Sequence, residues 1–403
     1  MALSPSRIES ARKLRGLTKK GLAAKLQVSS TTVAAWERDG APDERAGDLA
    51  GALRLGPSFF ECSEDEVAPV LQPAECNYRS LSRASAADRN RFEGFGYAVE
   101  AVIAAVEELA PSALPRIGLD RIDVSSADMP SADPADLTWW AAKLGRRMRQ
   151  ACGLGHDPIP NVVELLESLG VVVVVVPSLV ADAIDALSFW RSRPVVVLNY
   201  QKKDPYRSRF DALHELGHFV MHRKVTRSRE SSGRVRRSPD QGLEREANAF
   251  AGAMLVDAQR WARSAPRTTN PRLYLPHRRA WGASAAALMY QAREHGALTP
   301  RLYQTMQVRY SQMGWRSGEP VDGALHERPT LLAGAVRQAA AAMGWTADQF
   351  ADHVGIPATM LRSMTAPEGL SSGNVVSLEA RRAPDVAGES GRPVADVVRL
   401  LEG

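Results

Sequence analysis

Cysteine is scarce in this 403-residue chain, with only Cys62, Cys76 and Cys152, odd in number and far apart. A disulfide framework needs an even, recurring set and a thiolate zinc site needs paired residues, so both are excluded, and the three are expected as small buried hydrophobes. Long apolar runs are missing as well. The longest, Val171 to Val176, falls far short of the roughly 20 residues of a membrane-spanning helix. The N-terminus also lacks the apolar core of a secretory leader, so a cytoplasmic protein with no membrane partner is expected. Nor is there an excess of acid. Lys and Arg number 51 against 46 Asp and Glu, a net charge of +5, which excludes an acidic solvating chain and permits a nucleic-acid partner.

What is present is the makeup of a packed protein, 44% hydrophobic and 24% charged, long enough for two or three domains. The pattern predicts an α+β fold, mostly α, in four parts. Residues 1–62 read as short helices broken at Gly16, at Gln27 to Ser29 and at Gly40 to Pro42. Residues 63–136 read as a linker and helical connector, with helical periodicity from Ala84 to Leu109. Residues 137–320 combine helices with strands at Val171–Val176 and Pro194–Asn199, a small sheet under a helix. Residues 321–403 are helical and echo the start of the chain. "GWTADQFADHVGI" from Gly344 repeats the spacing of "GLTKKGLAAKLQV" from Gly16, with Thr346 and Gln349 placed as a capping-box pair, so a second helix-turn-helix-like pair is expected there.

The sharpest chemical signal is His214-Glu215-Leu216-Gly217-His218 within an apolar-periodic stretch. Residues four apart share a helix face, so both imidazoles can meet one Zn2+ ion while Glu215 serves as catalytic base. Downstream, "EREANAFAGAML" supplies Glu244 as third ligand, with Glu246 as its rival. Two histidines and one carboxylate leave a coordination position for water, the mark of a catalytic site. Asn248, one turn after Glu244, is placed to support a ligating imidazole from behind. His222 lies about 12 Å along the helix from His214 and cannot share that ion. For an oxyanion donor, His277, Tyr274 and Tyr206 are open alternatives by chemistry. The Arg- and Ser-rich segment between His222 and Gln241 reads as a basic loop beside the site.

Near the N-terminus, a helix from Thr18 to Leu26, a tight turn and a helix from Ser30 to Glu37 share a core of Leu22, Ala23, Leu26, Val28, Val33 and Trp36. Ser30, Thr31, Thr32 and Ala35 then occupy the positions from which a recognition helix reads the major groove of double-stranded DNA, with Lys19 and Lys20 on phosphates. A homodimer would double that site. A helical bundle for protein contact is the alternative.

These residues carry two resemblances. Gly16 to Phe60 resembles the XRE-family helix-turn-helix, and "RFDALHELGHFVMH" with "EREANAFAGAML" resembles the ImmA/IrrE family of zinc metallo-endopeptidases. "NYRSL", "DALSFW" before "RPVVVLN", and "GWRSGEP" are similar to the fusion of the two. The resemblance implies a zinc-dependent endopeptidase that cleaves an XRE-type repressor, with His214, His218 and Glu244 as ligands and Glu215 as base. Two positions depart from it. Lys19 stands where such modules often carry Gln, and Asn248 where many relatives carry Asp. A regulator whose metal domain senses without cutting, and an antitoxin-like repressor, are the alternatives.

Overall fold

The computed structural model describes residues 2–60, 76–78, 86–115, 133–176, 186–200, 204–222 and 241–365. Their fold is α+β and mostly α. At the N-terminus, α1 (Pro5–Leu14), α2 (Lys19–Leu26), α3 (Ser30–Asp39) and α4 (Ala46–Leu53) close around Ile8, Leu14, Leu22, Val33, Leu49 and Leu53, all buried. A short ladder between β1 (Ala2–Leu3) and β2 (Ala41–Pro42) pins the first residues to the end of α3. Thr18 caps α2 by accepting from Gly21 N, and Ser29 caps α3 by accepting from Thr32 N. Between them Gln27 turns the chain with a left-handed φ of 55°.

The mixed sheet holds β3 (Cys76–Tyr78), β4 (Val172–Val175), β5 (Ala186–Trp190) and β6 (Pro194–Leu198) in the order β3-β5-β6-β4. Only the β4–β6 pair is parallel. Two of these strands revise the sequence reading. The stretch expected as linker supplies the edge strand β3, whose Asn77 pairs with Ser188, and β5 was not foreseen as a strand at all. The valine runs are buried on both faces, which removes the polar alternation that normally marks a strand.

Each face of the sheet belongs to a different core. Val172, Val174, Val195 and Val197 join the N-terminal helices, α5 (Ala86–Leu109) and the C-terminal helices. Val173, Val196 and Leu198 join the other core, built on α6 (Pro134–Ala151), α7 (Val162–Ser168), α8 (Pro205–Met221) and α9 (Gln241–Leu255). It is completed by α10 (Ala258–Ser264), α11 (Leu275–Trp281), α12 (Ala285–Glu294) and α13 (Pro300–Gln312). α6 crosses α9 at Gly145, where a Cβ would stand 2.4 Å from the Phe250 carbonyl oxygen, so only glycine permits this approach.

At the C-terminal end, α14 (Leu331–Ala342), α15 (Ala347–Val354) and α16 (Ala358–Thr365) repeat the backbone of α1 to α3. Leu17 N to Arg12 O at 3.1 Å has its counterpart in Trp345 N to Ala340 O at 2.8 Å, and Val28 N to Ala23 O at 3.1 Å in Ile356 N to Ala351 O at 3.0 Å. Phe350, Ala351 and Leu361 are buried where Leu22, Ala23 and Val33 are buried in the first copy. Both bonds of the Thr346–Gln349 capping box are present. Gly355, at φ 77°, takes the turn position of Gln27 and packs directly on Phe59. α5 lies against both α1 and α14, the equivalent first helices of the two copies. The surface charge differs: Ala347 and Asp348 stand where the first copy has Lys19 and Lys20.

Candidate metal centre and DNA-facing helix

α8 starts where Asp204 accepts from the backbone N–H groups of Tyr206 and Arg207 and where Pro205, lacking an N–H, costs the first turn nothing. Its next turns are buried almost throughout, including His214, Glu215 and His218. α9 lies across α8, with the Phe250 ring against Gly217. That contact sets the register of the two helices and hence which α9 carboxylate meets the histidine face.

His214 Nε2 and His218 Nε2 lie 3.1 Å apart. Glu244 reaches them with Oε2 at 3.3 Å from the first and Oε1 at 3.5 Å from the second. Separations of this size are the edges of a tetrahedron with bonds of about 2.0–2.1 Å, the reach of Zn2+ to nitrogen and carboxylate oxygen. Two imidazoles and a carboxylate are also a zinc-type donor set, so the residues fit such an ion. Burial works against the Glu244 charge, yet the two imidazoles outweigh it and hold the carboxyl well below its ordinary range.

Behind the donors, Asn248 Oδ1 accepts from His214 Nδ1 at 3.1 Å. Glu246, the rival of Glu244, points elsewhere: its Oε2 is 3.0 Å from His222 Nε2. His222, at the end of α8, presents Nδ1 to His218 Nδ1 at 2.9 Å, and burial holds its imidazole below the ordinary range. Ser188 on β5 donates its hydroxyl to Glu215 Oε2. Sequence reasoning missed Ser188, although a lone hydroxyl within Ala-Leu-Ser-Phe-Trp was a signal, being a polar group in a strand otherwise fit for a core. Of the oxyanion candidates, Tyr206 donates to Asp322 at 2.7 Å, Tyr274 donates to the Pro266 carbonyl at 2.6 Å, and His277 packs on the Trp261 ring. The basic segment 223–240 lies outside the described residues, as does Cys62. Cys152 is half-buried, its thiol pushed up to about 12 by desolvation.

On the N-terminal module, Ser30 and Thr31 are exposed while Thr32 and Ala35 are half-buried. The Ser29 hydroxyl lies 2.6 Å and 2.7 Å from those of Thr31 and Thr32, a cluster at the start of α3. Lys20 is exposed. Lys19 is exposed too, but its ammonium pairs with Glu37 at 3.2 Å, and Arg12 holds the same carboxylate.

The fold therefore defines a two-part class of protein: an N-terminal helical module of helix-turn-helix form and an α+β domain in which a His-Glu-x-x-His helix faces a carboxylate-bearing one. Family models agree. Residues 8–60 match the helix-turn-helix model, and residues 166–292 match a peptidase-family model described as an IrrE N-terminal-like domain. A search of curated proteins finds no match. The chain thus carries an XRE-type helix-turn-helix and an IrrE/ImmA-like domain together. No described helix is long and apolar enough to cross a membrane.

Proposed function

We propose that this protein is a cytoplasmic, DNA-bound zinc endopeptidase that cuts a regulatory protein, with an XRE-type repressor as substrate. The observation that carries the reading is the convergence of His214, His218 and Glu244 donor atoms beside Glu215, in the same chain as a helix-turn-helix. His214, His218 and Glu244 would hold Zn2+, which when bound supplies Lewis acidity to a water molecule and to the scissile carbonyl. Glu215 takes the proton from that water and returns it to the leaving amine. Ser188, donating to one oxygen of Glu215, restricts rotation of the carboxylate and keeps it aimed. Asn248 holds the His214 ring in the orientation that turns Nε2 towards the site.

DNA binding adds local concentration. A protease held at an operator by Ser30, Thr31, Thr32 and Ala35 on bases, and by Lys19 and Lys20 on phosphates, meets a repressor bound nearby at high effective molarity. Lys19 must leave or share Glu37 to reach a phosphate, so Lys20 is the stronger contact. The test is cleavage of repressors encoded beside this gene, by wild type and Glu215→Gln, with zinc content measured on both. Wild type should cut and the variant should retain zinc without cutting. Equal cleavage by both, or unchanged promoter induction in cells carrying Glu215→Gln, defeats the proposal and leaves a DNA-binding regulator.

A further inference from the structure

We propose that His222 and Glu246 are positioning residues for His218, forming a buried carboxylate–imidazole–imidazole relay that keeps the His218 proton on Nδ1 and turns a bare Nε2 to the metal side. The inference rests on the reading of His214, His218 and Glu244 as metal ligands.

The argument follows the protons from one end. A carboxylate only accepts, so the contact between Glu246 Oε2 and His222 Nε2, at 3.0 Å, places a proton on that nitrogen. A neutral imidazole carries one proton, which leaves His222 Nδ1 as an acceptor. Its neighbour at 2.9 Å is His218 Nδ1, and two facing nitrogens can share only one proton, so this one belongs to His218. His218 Nε2 is then bare and faces His214 Nε2 at 3.1 Å and Glu244 Oε1 at 3.5 Å, which is the state a ligating nitrogen requires.

The rest of the fold supports the relay. His222 is 2% exposed and Glu246 7%, so water competes little for these contacts. His222 follows His218 by one helical turn, and the two rings lie on the same face, tilted at 59° with their centroids 5.0 Å apart. Two residues apart on α9, Glu244 and Glu246 diverge, which lets one carboxylate approach the metal-facing nitrogens while the other reaches the ring behind them. Asn248 does for His214 what His222 does for His218, so both imidazoles are gripped at Nδ1.

The experiment uses the full chain, with zinc affinity read by competition against a chromophoric chelator and ring 15N shifts of His218 recorded in the metal-free protein. His222→Ala should weaken zinc binding about 10–100-fold. His222→Gln, whose amide oxygen can accept from His218 Nδ1, should recover most of that loss. The ring shifts should show the proton on Nδ1 of His218 in wild type. The proposal is overturned if both His222 variants bind zinc within about threefold of wild type, or if metal-free His218 carries its proton on Nε2. Should His222→Ala fail to fold, His222→Gln and the wild-type ring shifts still decide. If wild type binds no zinc, the metal reading fails by itself, and the ring shifts still judge the relay.

Discussion

The candidate base accepts a hydrogen bond from the Ser188 hydroxyl. Ser188 and Glu215 are both buried, so a Ser188→Ala substitution removes a hydrogen bond to a charged group that water cannot readily replace. Peptidase kcat/KM should fall about tenfold with zinc affinity unchanged, as measured by single-substrate kinetics alongside chelator competition. An unchanged rate would mean that Glu215 is oriented by other contacts. Asn248 is a second residue-scale case. Its amide oxygen accepts from His214 Nδ1, and a carboxylate at the same place would accept more strongly and raise the basicity of the imidazole. Asn248→Asp should therefore tighten zinc binding and Asn248→Ala loosen it about tenfold or more. Both residues follow one rule: a polar atom within a core has to be bonded, and its partner names its task. The motif His-Glu-x-x-His was legible because its spacing is local. Ser188 was not, because its partner lies 27 positions away and only the packing of α8 against β5 brings them together.

Elements were read best where their signals were local. The turn at Gln27 to Ser29, the core spacing of α2 and α3 and the Thr346–Gln349 capping box are all short-range, and the structure keeps them. β3 and β5 went unread because each is short and takes its meaning from a neighbouring strand. The segment leading from α13 into α14 is another element whose role is decided by contacts. There His326 stacks on Tyr200 at 4.1 Å between ring centroids, Tyr200 donates to the Glu327 carbonyl at 2.7 Å, and Glu327 accepts from the first N–H groups of α7. Burial lowers the His326 imidazole to about 4. A base with a depressed folded value stabilises the fold above its unfolded value near 6.5 and loses that contribution as pH falls through about 4. Thermal midpoints taken from pH 7 down to pH 4 should accordingly drop less in His326→Phe, which keeps the stack but has no proton to gain. Parallel decline of the two proteins would count against this assignment.

At the scale of the whole molecule, one sheet serves two cores. Alternate valines of β4 and β6 face the helix-turn-helix side, and the others face the metal centre. The helix-turn-helix module is therefore packed against α5, whose Glu107 pairs with Arg193 just before β6, on the side of the sheet that backs the peptidase-like site. The exposed surface of α2 and α3 carries the proposed DNA contacts. Lys20→Ala should weaken operator binding and reduce the salt dependence of log K by about one unit of slope, with no change in sequence preference. Titration at several salt concentrations checks this, and a slope equal to that of wild type would remove Lys20 from the interface. The second helix-turn-helix-like copy has lost both lysines at the matching positions, and its Asp348 pairs with Arg362 at 2.7 Å.

Local order was thus determined by the sequence alone. Helical spacing put two imidazoles on one face, a tight turn between two helices with a shared apolar core marked the helix-turn-helix pair, and runs of valine announced strands. Tertiary structure decided which groups meet. Close packing at Gly145 and Gly217 against Phe250 sets the register of α9, and that register turns Glu244 to the His214–His218 pair and Glu246 to His222. The physical reason is range. Spacing along one helix follows from its own pitch, whereas the meeting of two helices depends on side-chain volumes contributed by distant parts of the chain.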